Sequence, residues 1–204
     1  MSINVCNDRS MASITSLPSG VSGSSLVLLS TVTASSSSTV TFDSGIDSTY
    51  KEYVFKFINI HPSTDDSGNG VNLNVNFRDG STAYDATKTT SYFSTYHNEG
   101  DSSTGLAYST SFDLAQGTGV AILGSGTGGD ADQSASGEMI LFDPSSTTFV
   151  KHFISKVHNS QSDDHATTNF VAGYCNVTAA IDGVQFSTNT GNIESGTFKL
   201  YGVV

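Results

Sequence analysis

Apolar and polar residues alternate along much of the chain with a period of two, the pattern of strands with one face buried and one face wet. Residues 71–77 show it most strictly. Val71, Leu73, Val75 and Phe77 alternate with Asn72, Asn74 and Asn76. Residues 50–60 form the strongest strand signal, with Tyr53, Phe55, Phe57 and Asn59 expected on one face and Val54, Lys56, Ile58 and Ile60 on the other. His61-Pro62 is expected to end that strand, because proline cannot donate to a ladder. Further strands are expected at 26–33, 39–42, 89–97, 138–142, 148–157, 170–177, 184–186 and 197–203.

Turn chemistry separates these runs. Asp79-Gly80 is a hairpin signal, and Asp143-Pro144-Ser145-Ser146 is a turn between two strands. Residues 63–70 and 98–105 read as polar loops, and 124–129 as a glycine-rich loop leading to Asp130 and Asp132. Residues 107–121 carry no clear pattern. About ten strands, no amphipathic helix longer than two turns and no fixed-period repeat predict a single all-β domain over 26–204, an antiparallel sandwich of jelly-roll-like form. Residues 1–25 differ. They lack periodicity and end in a Gly/Ser stretch, so they read as an irregular amino-terminal arm or extension, and Met11 could itself be a start.

Composition narrows the reading. Hydrophobic residues make up only 36% of the 204 and charged residues only 13%, values that raise the question of disorder. The 12 Phe and 8 Tyr answer it, since disordered chains are poor in aromatic and β-branched residues. The formal net charge is −11, with eight Lys and Arg in all. A face that grips phosphates must be basic, so no nucleic-acid partner is expected, and anionic membranes are disfavoured on the same ground. The longest aliphatic runs, 26–29 and 120–123, are too short to span a bilayer, and no secretory signal opens the chain. Cys6 and Cys175 exclude a disulfide framework, and Cys175 reads as a small buried apolar residue.

Candidate chemistry is thin. Five histidines (His61, His97, His152, His158 and His165) and many serines are present, but the G-x-S-x-G nucleophile signature is absent. His61 and His97 fall at strand ends, where a turn or surface role is expected. The run His158-Asn159-Ser160-Gln161-Ser162-Asp163-Asp164-His165 has donors suited to a divalent ion, yet it also suits a solvated loop joining two strands, the reading preferred. Asp130-Ala131-Asp132 lacks the glycine and terminal glutamate spacing of an EF-hand. The glycine-rich stretches are not followed by Lys-Ser/Thr or a helix, so no phosphate cradle is expected. The expectation is therefore no enzyme, no cofactor and no metal.

Three segments carry a resemblance: Asp47-Ser48-Thr49-Tyr50-Lys51-Glu52-Tyr53-Val54-Phe55-Lys56-Phe57-Ile58-Asn59-Ile60-His61-Pro62, Ser145-Ser146-Thr147-Thr148-Phe149-Val150-Lys151-His152-Phe153 and Ser195-Gly196-Thr197-Phe198-Lys199-Leu200-Tyr201-Gly202-Val203. They resemble segments of virion structural proteins from tailed bacteriophages of marine and freshwater bacteria, and the similarity spans about residues 26–204. The resemblance implies a non-enzymatic particle component, made in the host cytoplasm and placed on the virion exterior. The expected role is capsid decoration or cement, as a homo-oligomer (a trimer first), with residues 1–25 docking on the major capsid protein, another virion protein or a neighbouring subunit. The alternative is a tail-fibre or baseplate module that binds host glycan, with Tyr92, Tyr96 and Tyr108 as the contacts because flat rings stack on sugars.

Overall fold

The computed structural model describes residues 25–65 and 70–204. Twelve strands run through them: β1 (Leu26–Ser37), β2 (Thr39–Phe42), β3 (Glu52–Pro62), β4 (Val71–Arg78), β5 (Lys88–Asn98), β6 (Thr104–Tyr108), β7 (Ala121–Thr127), β8 (Ala135–Phe142), β9 (Lys151–Ser160), β10 (His165–Cys175), β11 (Gly183–Thr188) and β12 (Ile193–Val203). They build an antiparallel sandwich, as expected. An eight-stranded sheet runs in the order β1-β12-β3-β8-β9-β10-β5-β6, and a four-stranded sheet in the order β2-β11-β4-β7.

The two orders correspond. The small sheet matches β1-β12-β3-β8 strand for strand, each pair being chain neighbours placed in opposite sheets. The strands β9, β10, β5 and β6 have no counterparts in the small sheet and extend the large sheet past β8. Among the described residues no helix is long and apolar enough to cross a membrane.

An aromatic cluster joins the sheets. Phe186 of β11 has its ring centroid 6.2 Å from Phe42, 5.6 Å from Phe55, 5.1 Å from Phe57 and 5.3 Å from Phe198. Edge-on and tilted packing of this kind adds to the burial of the rings themselves. Leu73, Val75, Phe77, Leu123, Met139 and Phe153 continue the core toward β9.

Three local expectations are corrected. In β3 a bulge follows Phe57, with Asn59 at φ 51°. One extra residue reverses the parity of a strand, so Ile60 enters the core at 3% exposure and Asn59 faces solvent. Asp79-Gly80 makes no hairpin, because β4 already has β11 on one side and β7 on the other; the chain crosses instead to β5 in the large sheet. Residues 124–127, expected in a loop, belong to β7. Its glycines serve close approach: a Cβ at Gly124 would lie 2.9 Å from Val157 Cγ1, and one at Gly126 (φ 77°) would lie 2.6 Å from Gln161 Nε2. β6 begins inside the expected 98–105 loop and ends in the unassigned stretch, which continues as a segment, 109–119, laid along the edge of β5 beyond β6. Thr90 N–H donates to Leu114 O (2.9 Å), Leu114 N–H to Thr90 Oγ1 (2.9 Å), and Lys88 N–H to Gly117 O (2.9 Å).

Candidate functional site

Two surfaces concentrate chemistry, both belonging to the large sheet. The first is its outer face, whose rows follow from the strand registers. One row reads Leu28, Tyr201, Val54, Ile140, Ile154, Ala172 and Ser91 across β1, β12, β3, β8, β9, β10 and β5. Six of the seven are apolar or aromatic, and Leu28 and Ile154 are 53% and 51% exposed. Beside Ile154 the small side chains of Ala172 and Ser91 leave an apolar groove of about 440 Å³, also lined by Thr89, His152 and Tyr174.

The next row reads Thr31, Lys199, Lys56, Glu138, Lys156, Phe170, Phe93 and Tyr108. Lys56 Nζ is paired with a Glu138 carboxylate oxygen. Phe93 and Phe170 lie parallel, with centroids 4.9 Å apart and 10° between planes, and Lys156 Nζ stands 5.7 Å from the centre of the Phe170 ring. Phe170 is thus flanked by Phe93 on one neighbouring strand and Lys156 on the other.

That geometry corrects the expected glycan contacts. Tyr92 is 1% exposed. Its hydroxyl is bonded to Ser125 Oγ at 2.8 Å and to Asn169 Oδ1, so no sugar can reach it. Tyr96 lies on the same side of β5 as Tyr92, half-buried, its ring edge-on to His165 at 5.5 Å. Tyr108 alone is well exposed, and it lies on the opposite side with Phe93, its hydroxyl donating to Asp113 Oδ2 at 2.6 Å. The three rings form no common platform. Phe93 and Phe170, which sequence reasoning passed over, are the aromatic pair on the outer face, but stacked rings turn their faces to each other rather than to a ligand.

The second surface is a polar cleft of about 380 Å³ at the end of the same sheet. It gathers two clusters distant in the chain: Asp130 and Asp132 before β8, and His158, Asp164 and His165 around the β9–β10 hairpin, with Glu99 from the end of β5. Of the run 158–165 expected as a solvated loop only 161–164 form the turn; 158–160 belong to β9, with Asn159 fully buried, and His165 opens β10. The walls bond to one another. His165 Nδ1 lies 2.9 Å from Asp163 Oδ1, Asp130 N–H donates to Gln133 Oε1 (3.1 Å), and Gln133 Nε2 donates to Gln161 O (3.1 Å). Among the described residues no group of three His, Cys, Asp or Glu side chains is arranged to hold a metal ion.

Three further histidines have hydrogen-bond partners, and the fourth, His152, has its ring centroid 6.1 Å from that of Tyr174. His61 Nδ1 meets Gln133 O (2.8 Å), His97 Nε2 meets Asp101 Oδ1 (3.0 Å), and His158 Nδ1 meets Thr168 Oγ1 (3.0 Å). None of these bonds strings a serine, an imidazole and a carboxylate together. Cys175 is fully buried in a row with Lys88 and Lys151 on the adjoining strands, as its apolar reading anticipated. Burial pushes its thiol up to about 12, only partly offset by the two ammonium groups, so it stays protonated at neutral pH. Burial likewise lowers Lys88 to about 8, while its Nζ donates to Gly119 O at 2.7 Å. Lys151 is also lowered by burial, and donates to Val177 O at 2.8 Å. Cys6 lies outside the described residues.

No protein family, curated protein or solved structure matches this chain.

Proposed function

We propose that the chain is a non-enzymatic structural component of a tailed-bacteriophage particle, an exterior decoration or cement protein that works as a homo-oligomer. The observation that carries this reading is the outer face of the large sheet: an apolar row crossing six strands, half exposed at Leu28 and Ile154 and covered at Val54. Soluble monomers rarely present a contiguous apolar patch of this kind, and such patches mark surfaces that meet a partner. The resemblance of three segments of the chain to phage virion proteins names the setting.

Two further features support it. The strand order β1-β12-β3-β8 over β2-β11-β4-β7 supports a jelly-roll-like reading of the sandwich, a fold used in viral coats. The sparse, acidic surface elsewhere suits a protein kept soluble at high copy number on a particle exterior. The glycan-binding alternative loses its motivating residues, since Tyr92 is buried and Tyr96 and Tyr108 face opposite ways. The docking role of the arm rests on residues 1–24, which lie outside the described part.

Quantitative mass spectrometry of purified particles, with antibody labelling of intact ones, tests the proposal. Decoration predicts surface labelling and on the order of hundreds of copies per particle, the number that symmetric coat lattices require. A few to a few dozen copies would move the chain to the tail, and absence from purified particles would overturn the particle reading.

A further inference from the structure

Each sheet of the sandwich ends in two edge strands, and three of these four edges are blunted in ways that keep sheets from joining edge to edge. β2 is only four residues long. β6 has five, a glycine among them, and stands between Asp101 and Asp113 in the chain. The ladder of β7 with β4 is interrupted by two register shifts, and its end is bridged through Thr127 to Gln161.

β1 is the exception. It is twelve residues long and ends the large sheet, with β12 as its one ladder partner among the described residues. From Leu26 to Ser37 it holds no charge and no proline. A bulge at Leu29 and the left-handed Ser36 (φ 47°) bound a regular stretch, residues 30–35. In an antiparallel ladder alternate residues turn their N–H and C=O groups toward one neighbour or the other. Along this stretch every second residue therefore offers both groups to a further strand.

Charge limits what can come there. The chain carries a net charge of −11, and copies of so acidic a protein repel one another over most of their surface. Residues 10–42 contain no Asp, Glu, Lys, Arg or His. Both β1 and β2, the edge strand of the layer beneath it, fall inside that run. Glu194, which accepts from Ser36 Oγ at 2.7 Å, lies past the end of the regular stretch. Two copies can thus approach along this side without setting like charges against each other.

The residues of the stretch also match themselves when reversed. A twofold axis through Val32, perpendicular to the sheet, sets β1 antiparallel to β1 of a second copy and keeps both core faces on the same side. Val32, half-buried against each core, then meets Val32. The exposed Thr31 and Thr33 form two reciprocal Thr31–Thr33 pairs on the outer face, and Ser30 meets Ala34. Cross-strand threonine pairs are favourable, and an isologous contact requires this reciprocity.

We infer that a second copy of this chain pairs with the free edge of β1, strand to identical strand about a twofold axis at Val32, so that the two large sheets become one. The inference rests on the homo-oligomer reading and names its surface and symmetry. A twofold contact makes dimers, alone or between the expected trimers.

Hydrogen exchange on the full chain, read beside sedimentation velocity over a concentration series, tests it. Thr33→Glu places a carboxylate of each copy beside the axis; Thr104→Glu makes the same change on β6, at the opposite edge of the sheet. Both positions are exposed, and circular dichroism checks that both variants fold. The expected wild type forms an even-numbered oligomer, with amide protection over residues 30–34 rising on the order of tenfold as it assembles. Thr33→Glu should remove the association and the protection, and Thr104→Glu should remove neither. An oligomer indifferent to Thr33→Glu would overturn the β1 contact alone, whereas a monomeric wild type would overturn the homo-oligomer reading with it. Protection that ignores concentration and vanishes on deleting residues 1–24 would give the edge to the chain's own amino-terminal segment and overturn the inference. Placement on the particle is decided separately, by the particle measurement.

Discussion

The two halves of the eight-stranded sheet are closed by different chemistry. Under β1, β12, β3 and β8 the small sheet lays rings on rings, with Phe186 central among four other phenylalanines. Under β9, β10 and β5 the cover is β7 and the 109–119 segment, and polar groups enter the interior. Asn159, Asn169, Lys88 and Lys151 are all fully buried there, with Tyr92, Ser155 and Thr167 nearly so. The first half is held by contact area, which is non-directional and tolerant. The second depends on directional bonds, because a buried polar group without its partner costs more than the bond contributes; Thr167 Oγ1 and Thr127 Oγ1 stand there without one.

Breaking the first half should give the largest effect. Phe186→Ala removes a fully buried ring with four aromatic neighbours and leaves a cavity between the sheets. The expected loss is about 3–5 kcal/mol, read as a shift in the urea midpoint at unchanged slope. A loss under about 1 kcal/mol would mean that the small sheet is not what stabilises this half.

The polar half has a sharper test. Asn169 Nδ2 donates to Asn159 Oδ1 (2.7 Å) and to Val157 O (3.1 Å), while its Oδ1 accepts the Tyr92 hydroxyl. Asn169→Leu keeps similar bulk and removes all three bonds. It should cost about 2–3 kcal/mol, despite adding apolar surface to the core, because Asn159 Oδ1 is left unpaired and the Tyr92 hydroxyl keeps only Ser125 Oγ. If Asn169→Leu instead raised the urea midpoint, the contrast between the halves would fail.

The same contrast explains what the sequence could reveal. β3 and β4 were readable because their apolar positions point into the core, apart from the bulge at Asn59, which inverts the last residues of β3; the face of β4 expected to be wet is nonetheless covered at Asn74 and Asn76, 2% and 8% exposed. In the polar half the alternation is crossed. On β5 the inward residues are Lys88, Thr90 and Tyr92, and the outward ones include Phe93. On β9 Lys151 points in and Ile154 points out. Nothing local distinguishes Tyr92 from Phe93; the choice follows from Ser125 across the interior and Asn169 on the adjoining strand β10, which take up the hydroxyl. β6 escaped detection because it is an edge strand with hardly any buried side, and β7 because its glycines read as a loop. The apolar row needed the order of strands in the sheet, since its members come from six strands with sequence positions between 28 and 201.

The smallest predicted effect concerns pH, and it separates the two halves without cutting any side chain away. Burial lowers Lys88 from 10.5 to about 8. Between those values the unfolded chain holds a proton at this site that the folded chain has released. Unfolding then takes up protons, so stability must rise with pH across the window. For a shift of this size the gain between pH 7.5 and 9 is about 1 kcal/mol. Cys175 acts with the opposite sign but higher, since its thiol is pushed from 9.0 up to about 12, and the stability it contributes is lost only as pH climbs through that range. At pH 9 the unfolded thiol is only half ionised, so its opposing contribution stays below that of the lysine, while Lys151, also lowered by burial, adds to the rise. Urea titrations at pH 7.5 and 9 should show a larger rise in the wild type than in Lys88→Met, where the aliphatic stem is kept and the titrating group is gone. An equal rise in both would remove Lys88 from the account and leave its bond to Gly119 O as a neutral packing detail.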